Sequence, residues 1–414
     1  MSYIKEKIKE NKNIISNFSY LSILQIFMML SPLITYPYLL KTVGLSLYGE
    51  SVFGQTLAGY IGLVISFGFE TVGAKEISIN YNNKKRISEI VSRILFAKLF
   101  LWIISLILVI IAILVIPFFS DNKLLYIFSF SICFNELLSF FWFFQGMEKM
   151  RFITIVNLIS RTVFILLTFI LVKTSEDYVY IPLINGLGYL LSGIISFFIM
   201  FKYFDVRIII PTYEKIRYYF KESFLFFLSG GFVFIKERTN ALILGSCIGM
   251  SELAIYDFGL KVITMLKYPI VISGDCLFPK IARENNLVFG NKAMKIMFSA
   301  SILIYFALIV FQDYIAYFFG GNNLSDIGYL FPLMGLYLPL TVIAVYARFG
   351  LVLHLPKEYK NSLLYSTIIY LVSIVFLYLL NMISIYTLII SFELSLAFEA
   401  FYRLYYVHKL LNKN

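Results

Sequence analysis

Ile90–Phe118 reads IVSRILFAKLFLWIISLILVIIAILVIPF. Past Lys98 it carries no charge, and it exceeds the roughly 20 apolar residues that a helix needs to cross a bilayer. Similar runs occur at Ile14–Leu40, Tyr48–Ala74, Leu124–Phe144, Phe152–Val172 and Val179–Phe201. After a polar stretch they resume at Phe224–Leu244, Leu253–Leu277, Met294–Phe318, Leu330–Val352, Leu363–Leu380 and Ser384–Val407. The expectation is an all-α polytopic membrane protein with twelve transmembrane helices. The runs are continuous rather than alternating, which disfavours a β-barrel. Pro32, Pro37, Pro269, Pro332 and Pro339 interrupt several runs, which membrane helices tolerate because neighbours or water satisfy the freed carbonyls.

The composition agrees. Of 414 residues, 60% are hydrophobic and 14% charged, against about 25% charged in an ordinary soluble domain. A soluble globular protein, a disordered chain and a nucleic-acid-binding module are excluded. The net charge of +11 instead reflects topology. Connections that face one side carry 22 Lys and Arg, from Lys5 to Lys413, and those that face the other carry Lys41, Lys123 and Lys173. The positive-inside rule then places both termini in the cytoplasm. The basic N-terminus runs into a long apolar segment with no small-residue cleavage site, so it reads as an uncleaved first span.

The longest polar connection, Lys202–Lys221, divides the spans six and six. The expected organisation is an N-terminal lobe at 1–201, a cytoplasmic linker at 202–221 and a C-terminal lobe at 222–414. Residues 43–54 (VGLSLYGESVFG) and 248–259 (IGMSELAIYDFG) share Gly44/Gly249, Ser46/Ser251, Phe53/Phe258 and Gly54/Gly259. Both stretches join the first two spans of their half. Two halves of six spans insert in the same orientation, as in transporters that rock two bundles about a central site.

Catalytic signatures are missing. The sequence has no H-E-x-x-H, paired C-x-x-C, Walker loop or nucleophile elbow. Cys133, Cys247 and Cys276 read as small hydrophobes. No enzyme activity, metal or cofactor is expected.

The chemistry lies in charges inside the spans. A charge at a helix centre costs about 2.5–3.5 kcal/mol on insertion scales. Arg93, Lys295, Arg348 and Arg403 stand near helix ends and can snorkel. Arg161, Lys236, Arg238 and Lys267 are central, while Lys98 and Lys261 lie somewhat off centre. Lys236 and Arg238 are about 200° apart around a helix, so they cannot face one cavity together. Asp257 precedes Lys261 by four residues, as Glu399 precedes Arg403, so each pair shares a face. Glu136 and Glu393 are mid-span acids. Thr154, Asn157, Arg161 and Thr168 form one polar stripe, Ser129, Cys133, Glu136 and Ser139 another, and Ser22 and Gln25 lead toward Pro32.

A mostly cationic interior suits an anionic substrate with phosphate-like oxygens. The candidate substrate contacts are Arg161, Lys236, Arg238, Lys267, Lys98, Lys261, Asn157 and Gln25. The candidate ion-coupling acids are Glu136, Glu393 and Asp257. The large lipophilic frame suggests a substrate whose lipid tail stays in the bilayer.

Leu24–Gln25, SPLITYPYLL (Ser31–Leu40), Gly44, Tyr48–Gly49, FGFE (Phe67–Glu70) with Ala74, Glu76 and Ile77, and WFFQGMEKM (Trp142–Met150) form a pattern. It resembles the polysaccharide biosynthesis protein family, specifically Wzx-type O-antigen flippases of the multidrug/oligosaccharidyl-lipid/polysaccharide exporter superfamily. RTNALILG (Arg238–Gly245) is the most similar stretch of the second half. The resemblance implies two six-helix lobes around a central cavity. It implies movement of an undecaprenyl-pyrophosphate-linked oligosaccharide from the inner to the outer leaflet of a bacterial inner membrane. It also implies H+ or Na+ coupling, with a polysaccharide polymerase and a chain-length regulator as partners. No family site residue is transferred. The competing readings are a multidrug or organic-cation antiporter, which wants an acidic cavity, an integral membrane polymerase, which wants a large outward loop, and a channel, which the two-lobe repeat disfavours.

Overall fold

The computed structural model describes residues 20, 24, 27, 28, 30–32, 34–284, 286–320 and 328–411. The principal elements are helices α1 (Leu45–Ser66), α2 (Phe69–Ile79), α3 (Lys84–Val115), the broken α4 (Lys123–Gly146), α5 (Met150–Leu171) and α6 (Tyr180–Phe204). They continue with α7 (Tyr213–Ile243), α8 (Met250–Glu284), α9 (Leu287–Val310), α10 (Tyr337–His354), α11 (Pro356–Leu379) and α12 (Ile385–Leu411). Among the described residues, eight helices are long and apolar enough to cross a membrane, or nine if α1 and α2 are one bent span. The chain is an all-α, multi-pass membrane protein. The expected twelve spans are consistent with this. Helices α7 and α8 bring polar cargo into their runs (Lys236, Glu237, Arg238; Asp257, Lys261, Lys267), and most of Ile14–Leu40 lies outside the described residues.

Local sequence explains the ends and breaks. The Asn83 side chain accepts from the Arg86 N–H at 3.0 Å and caps α3, and Asn286 caps α9 in the same way at 2.8 Å. Phe67 (φ 43°) and Gly68 (φ 72°) adopt the left-handed conformation, which turns α2 by 42° from α1. A Cβ on Gly68 would lie 2.8 Å from the Phe227 amide nitrogen, so glycine admits both the turn and the close approach of α7.

The structure divides into two compact units, residues 1–47 with 51–230 and residues 48–50 with 231–414. The first extends through the polar connection into α7, because that stretch is anchored to it. The Arg207 and Ile209 amides donate to Ser88 Oγ and Ser92 Oγ on α3, at 3.0 and 2.9 Å. Lys84 pairs with Asp205, and that hydrogen bond holds the Asp205 carboxyl below the usual aspartate range. Phe227 stacks on Phe67 and Phe220 meets it edge-on, and the Tyr219 hydroxyl donates to Glu76.

The core of this unit gathers Phe69, Ile77, Ile90, Ile94, Trp142, Phe143 and Phe144. The FGFE and WFFQGMEKM stretches thus pack on each other. A Cβ on Gly146 would meet Ala74 O at 2.7 Å. Helix α6 approaches α4 and α5 through Gly186 and Gly188, which sit against Ser131 and the Ser160 carbonyl. Small residues allow such close approach where lipid provides no hydrophobic driving force between helices. In the second unit, Thr341 to Ala347 of α10 are all buried, with α8, α9, α11 and α12 packed around that helix.

Candidate functional site

In the first unit, Arg161 of the α5 stripe stands in a polar network. Arg161 donates from Nη1 to Asn185 Oδ1 at 3.3 Å, from Nη2 to the Tyr189 hydroxyl at 3.2 Å, and from Nε to Met28 Sδ at 3.3 Å. Asn185 donates onward to Gln55 Oε1 at 3.1 Å, and Gln55 to Ser51 Oγ at 3.2 Å. Its guanidinium also stands 5.7 Å from the centroid of the Tyr189 ring. Among the described residues, no carboxylate lies within ion-pair distance of Arg161. It is a half-buried cation held by neutral dipoles, which position its charge without cancelling it. Thr154 on the same stripe donates to the Tyr20 carbonyl at 2.9 Å. Asn157 donates to Ile153 O, one turn back on its own helix, at 2.9 Å. Gln25 lies outside the described residues. Gln55, Asn185 and Tyr189 were not among the expected site residues. Their signal was present, because Gln55 and Asn185 are lone amides inside apolar runs.

Lys98, expected to contact substrate, is 1% exposed and pairs with Glu70 at 2.9 Å. Glu70 opens α2 just beyond the bend, and the bend is what brings it to α3. The Glu136 side chain accepts from Asn135 Nδ2 at 2.8 Å and packs where a Cβ on Gly62 would lie 2.9 Å from its Cγ.

In the second unit, Lys236 was also expected at the substrate. The structure instead buries it in an ion pair with Glu399. Arg403 binds the other oxygen of the same carboxylate at 2.5 Å, so one anion serves two cations. Arg238 lies on the exposed side of α7, away from Lys236, as the helical spacing requires. Lys261 pairs with Asp257 and donates to the Tyr48 hydroxyl, and Tyr48 clusters with this unit. Asp257, expected as an ion-coupling acid, already has its cation in Lys261.

Lys267 donates to the Tyr337 hydroxyl at 2.6 Å, with its ammonium 4.5 Å from that ring's centroid. Among the described residues it has no carboxylate partner. Glu393 is 7% exposed, and its Oε2 has no hydrogen-bond partner among the described residues. A buried carboxylate without a donor is costly unless a proton or cation reaches it. Among the described residues, Arg161, Lys267, Arg238, Glu136 and Glu393 of the expected set stand outside any ion pair, whereas Lys98, Lys236, Lys261 and Asp257 are paired.

Comparison with known proteins places these residues in context. Two curated relatives are both called putative O-antigen transporter. The one from Escherichia coli (strain K12) is 26% identical over 317 residues, 72% of this chain and 75% of that protein. The one from Shigella dysenteriae is 25% identical over 265 residues, 64% of this chain and 66% of that protein. Among solved structures, an inward-facing multidrug resistance MATE family transporter of the MOP superfamily superposes with a TM-score of 0.73 at 13% identity. That match covers 94% of this chain and 98% of the transporter. The lipid II flippase MurJ, in an inward closed conformation, superposes with a TM-score of 0.76 at 13% identity, over 94% of this chain and 87% of MurJ. At such identities these likenesses establish the fold. The family model described as "Polysaccharide biosynthesis protein" matches residues 14–284, and the chain belongs to that family.

Proposed function

We propose that this protein is a flippase. It moves undecaprenyl-pyrophosphate-linked oligosaccharide repeat units, for O-antigen or capsule, from the cytoplasmic to the periplasmic leaflet of a bacterial inner membrane. The names of the two curated relatives support the substrate class, and the fold supports a membrane transporter. The observation that carries the reading is Arg161, a cation in a membrane-spanning helix that the fold surrounds with neutral dipoles. A guanidinium fork matches phosphate oxygens in bidentate geometry, and Asn185, Tyr189 and Gln55 add groups suited to phosphate or sugar hydroxyls. Lys267 and Arg238 are further candidate contacts in the second unit.

Transport proceeds by alternating access, with the polyprenyl tail remaining in hydrocarbon. Glu393 and Glu136 bind the coupling H+ or Na+. Both termini face the cytoplasm, and a polymerase and a chain-length regulator act on the delivered units.

The deciding experiment is reconstitution into proteoliposomes with a fluorescent polyprenyl-diphosphate-linked oligosaccharide. Wild-type protein accelerates its loss from the inner leaflet, and Arg161→Gln at equal protein density does not. Equal rates for the two would sink the reading, as would transport of an organic cation in its place.

A further inference from the structure

Two carboxylates and one ammonium meet inside the first unit. Lys98 on α3 is 1% exposed and binds Glu70 of α2 at 2.9 Å. Glu136 of α4 is the third member. The Trp102 ring, one turn beyond Lys98, stacks on the Phe134 ring, two residues before Glu136, with centroids 5.6 Å apart. Helices α3 and α4 thus bring Lys98 and Glu136 to neighbouring levels, and the charges of Lys98 and Glu70 both act on the Glu136 carboxyl. Gly62 lets α1 close over the Glu136 side chain. Among the described residues its hydrogen-bond donor is Asn135, at 2.8 Å.

The other titratable groups on the surrounding elements are engaged elsewhere. Cys133, on the same helix, is buried and turned to the Ala58 carbonyl. Helix α6 packs on this stretch of α4 where Gly193 meets Leu138, and its Tyr189 is taken by Arg161. Farther along α2, Glu76 accepts from Tyr219, and earlier on α3, Arg93 pairs with Glu89.

Two anions and one cation leave an excess negative charge, which is costly in a membrane interior until another positive charge arrives. Asn135 turns its Nδ2, a donor, toward Glu136, and Lys98 is the next charged neighbour. Both repel a metal ion, whereas a proton needs only the carboxylate. Glu70 stands in the first turn of α2, where the helix dipole favours an anion, and 36% of its side chain is exposed. Glu136 has no such support, so the proton belongs on Glu136 while Lys98 stays with Glu70. Glu70 also lies just past the Phe67–Gly68 break, whose backbone abuts α7 at Phe227. Its bond to Lys98 pins that break to α3.

We propose that Glu136, Lys98 and Glu70 form a one-proton switch. With the proton on Glu136, Lys98 holds Glu70 and the bend between α1 and α2. When Glu136 gives its proton to water, the Lys98 ammonium is drawn to the new anion and the bend is released. A lysine suits this role, being a compact charge with rotatable donors on a flexible stem. The switch names the proton as the ion that Glu136 takes during transport, and that link alone rests on the flippase reading.

The test uses the full chain in nanodiscs without substrate and reads the infrared carbonyl band of a protonated carboxyl as pH is raised. Wild type minus Glu136→Gln should show such a band, and it should vanish with rising pH. Glu70→Gln should lack the same band although Glu136 is intact, because Lys98 then has Glu136 as its anion. Lys98→Met should keep it to higher pH, because an ionised Glu136 then has no cation. Amide hydrogen exchange is compared at one alkaline pH. Residues 63–72 should exchange several-fold more slowly in Glu136→Gln, where the bend stays pinned, than in wild type. If Glu70→Gln or Lys98→Met fails to fold, the comparison of wild type with Glu136→Gln decides alone. No band assignable to Glu136, a band unchanged in Glu70→Gln, or equal exchange at the bend would overturn the switch. Flipping by the same preparation is scored separately. The band and exchange changes without flipping refute the flippase reading, and flipping without those changes refutes the switch alone.

Discussion

Lys236 on α7 and Glu399 on α12 form an ion pair with each side chain only 6% exposed. Ser366 on α11 donates to the same carboxylate oxygen at 3.0 Å. Arg403 completes the cluster, with its Nε on Ser362 Oγ at 3.0 Å and its Nη1 on the Ala344 carbonyl of α10 at 2.8 Å. Four helices are tied through one carboxylate.

The two ends of that pair should not respond equally to mutation. Glu399→Gln leaves two buried cations without an anion, whereas Lys236→Met leaves Arg403 and Glu399 matched. Removing one partner of a buried pair costs about 3–5 kcal/mol. Glu399→Gln should therefore lower the melting temperature in detergent further than Lys236→Met. The reverse order would show that the cluster does not hold the second unit together.

Arg161 should behave differently, because its charge is positioned but not cancelled. Arg161→Gln removes a charge whose contacts are all neutral and leaves no partner ion unpaired, so the melting temperature should change little. Initial flipping rates should fall roughly tenfold or more, since a charge-assisted contact to phosphate is lost. Arg161→Lys should recover only part of the rate, because an ammonium lacks the planar fork. A collapse in protein yield with either variant would assign Arg161 to packing.

Glu393→Gln replaces a buried, unpartnered carboxylate by a neutral isostere. The yield and melting temperature of that variant should equal or exceed wild type, since the cost of a buried charge is removed. Its flipping rate should lose its dependence on an imposed H+ or Na+ gradient. An unchanged gradient dependence would remove Glu393 from the coupling path.

The turn between α1 and α2 gives a purely structural prediction. Gly68→Ala meets both a left-handed backbone and the Phe227 amide nitrogen at 2.8 Å. A strained left-handed residue costs about 1–3 kcal/mol, and the contact adds to it. The variant should melt lower than wild type, and Gly230→Ala, whose Cβ meets nothing within 4 Å, should not. Equal melting of the two would mean that the bend is not what α7 packs against.

Much of the fold was legible because lipid imposes one-dimensional rules. A spanning helix must be apolar for about 20 residues, and connections sort their basic residues by side. The Phe67–Gly68 break and the breaks in α4 had no such signature. They depend on where a neighbouring helix needs the backbone to yield.

Part of the candidate site was also legible. Asp257–Lys261 and Glu399–Arg403 pair as their spacing of four suggested, because helical geometry alone brings such side chains together. The mid-span position of Arg161 marked it, and so did its polar stripe. The amides of Gln55 and Asn185 beside it were equally visible as lone polar groups.

By itself the sequence determined that the chain lives in a membrane, crosses it many times and carries more cations than anions inside its spans. Only the tertiary structure decided which of those cations are already neutralised. Lys98 is answered by Glu70 from 28 residues away and Lys236 by Glu399 from 163, whereas no carboxylate among the described residues answers Arg161. Charge is a property of composition, but Coulombic cancellation depends on distance in space, which helix packing alone sets.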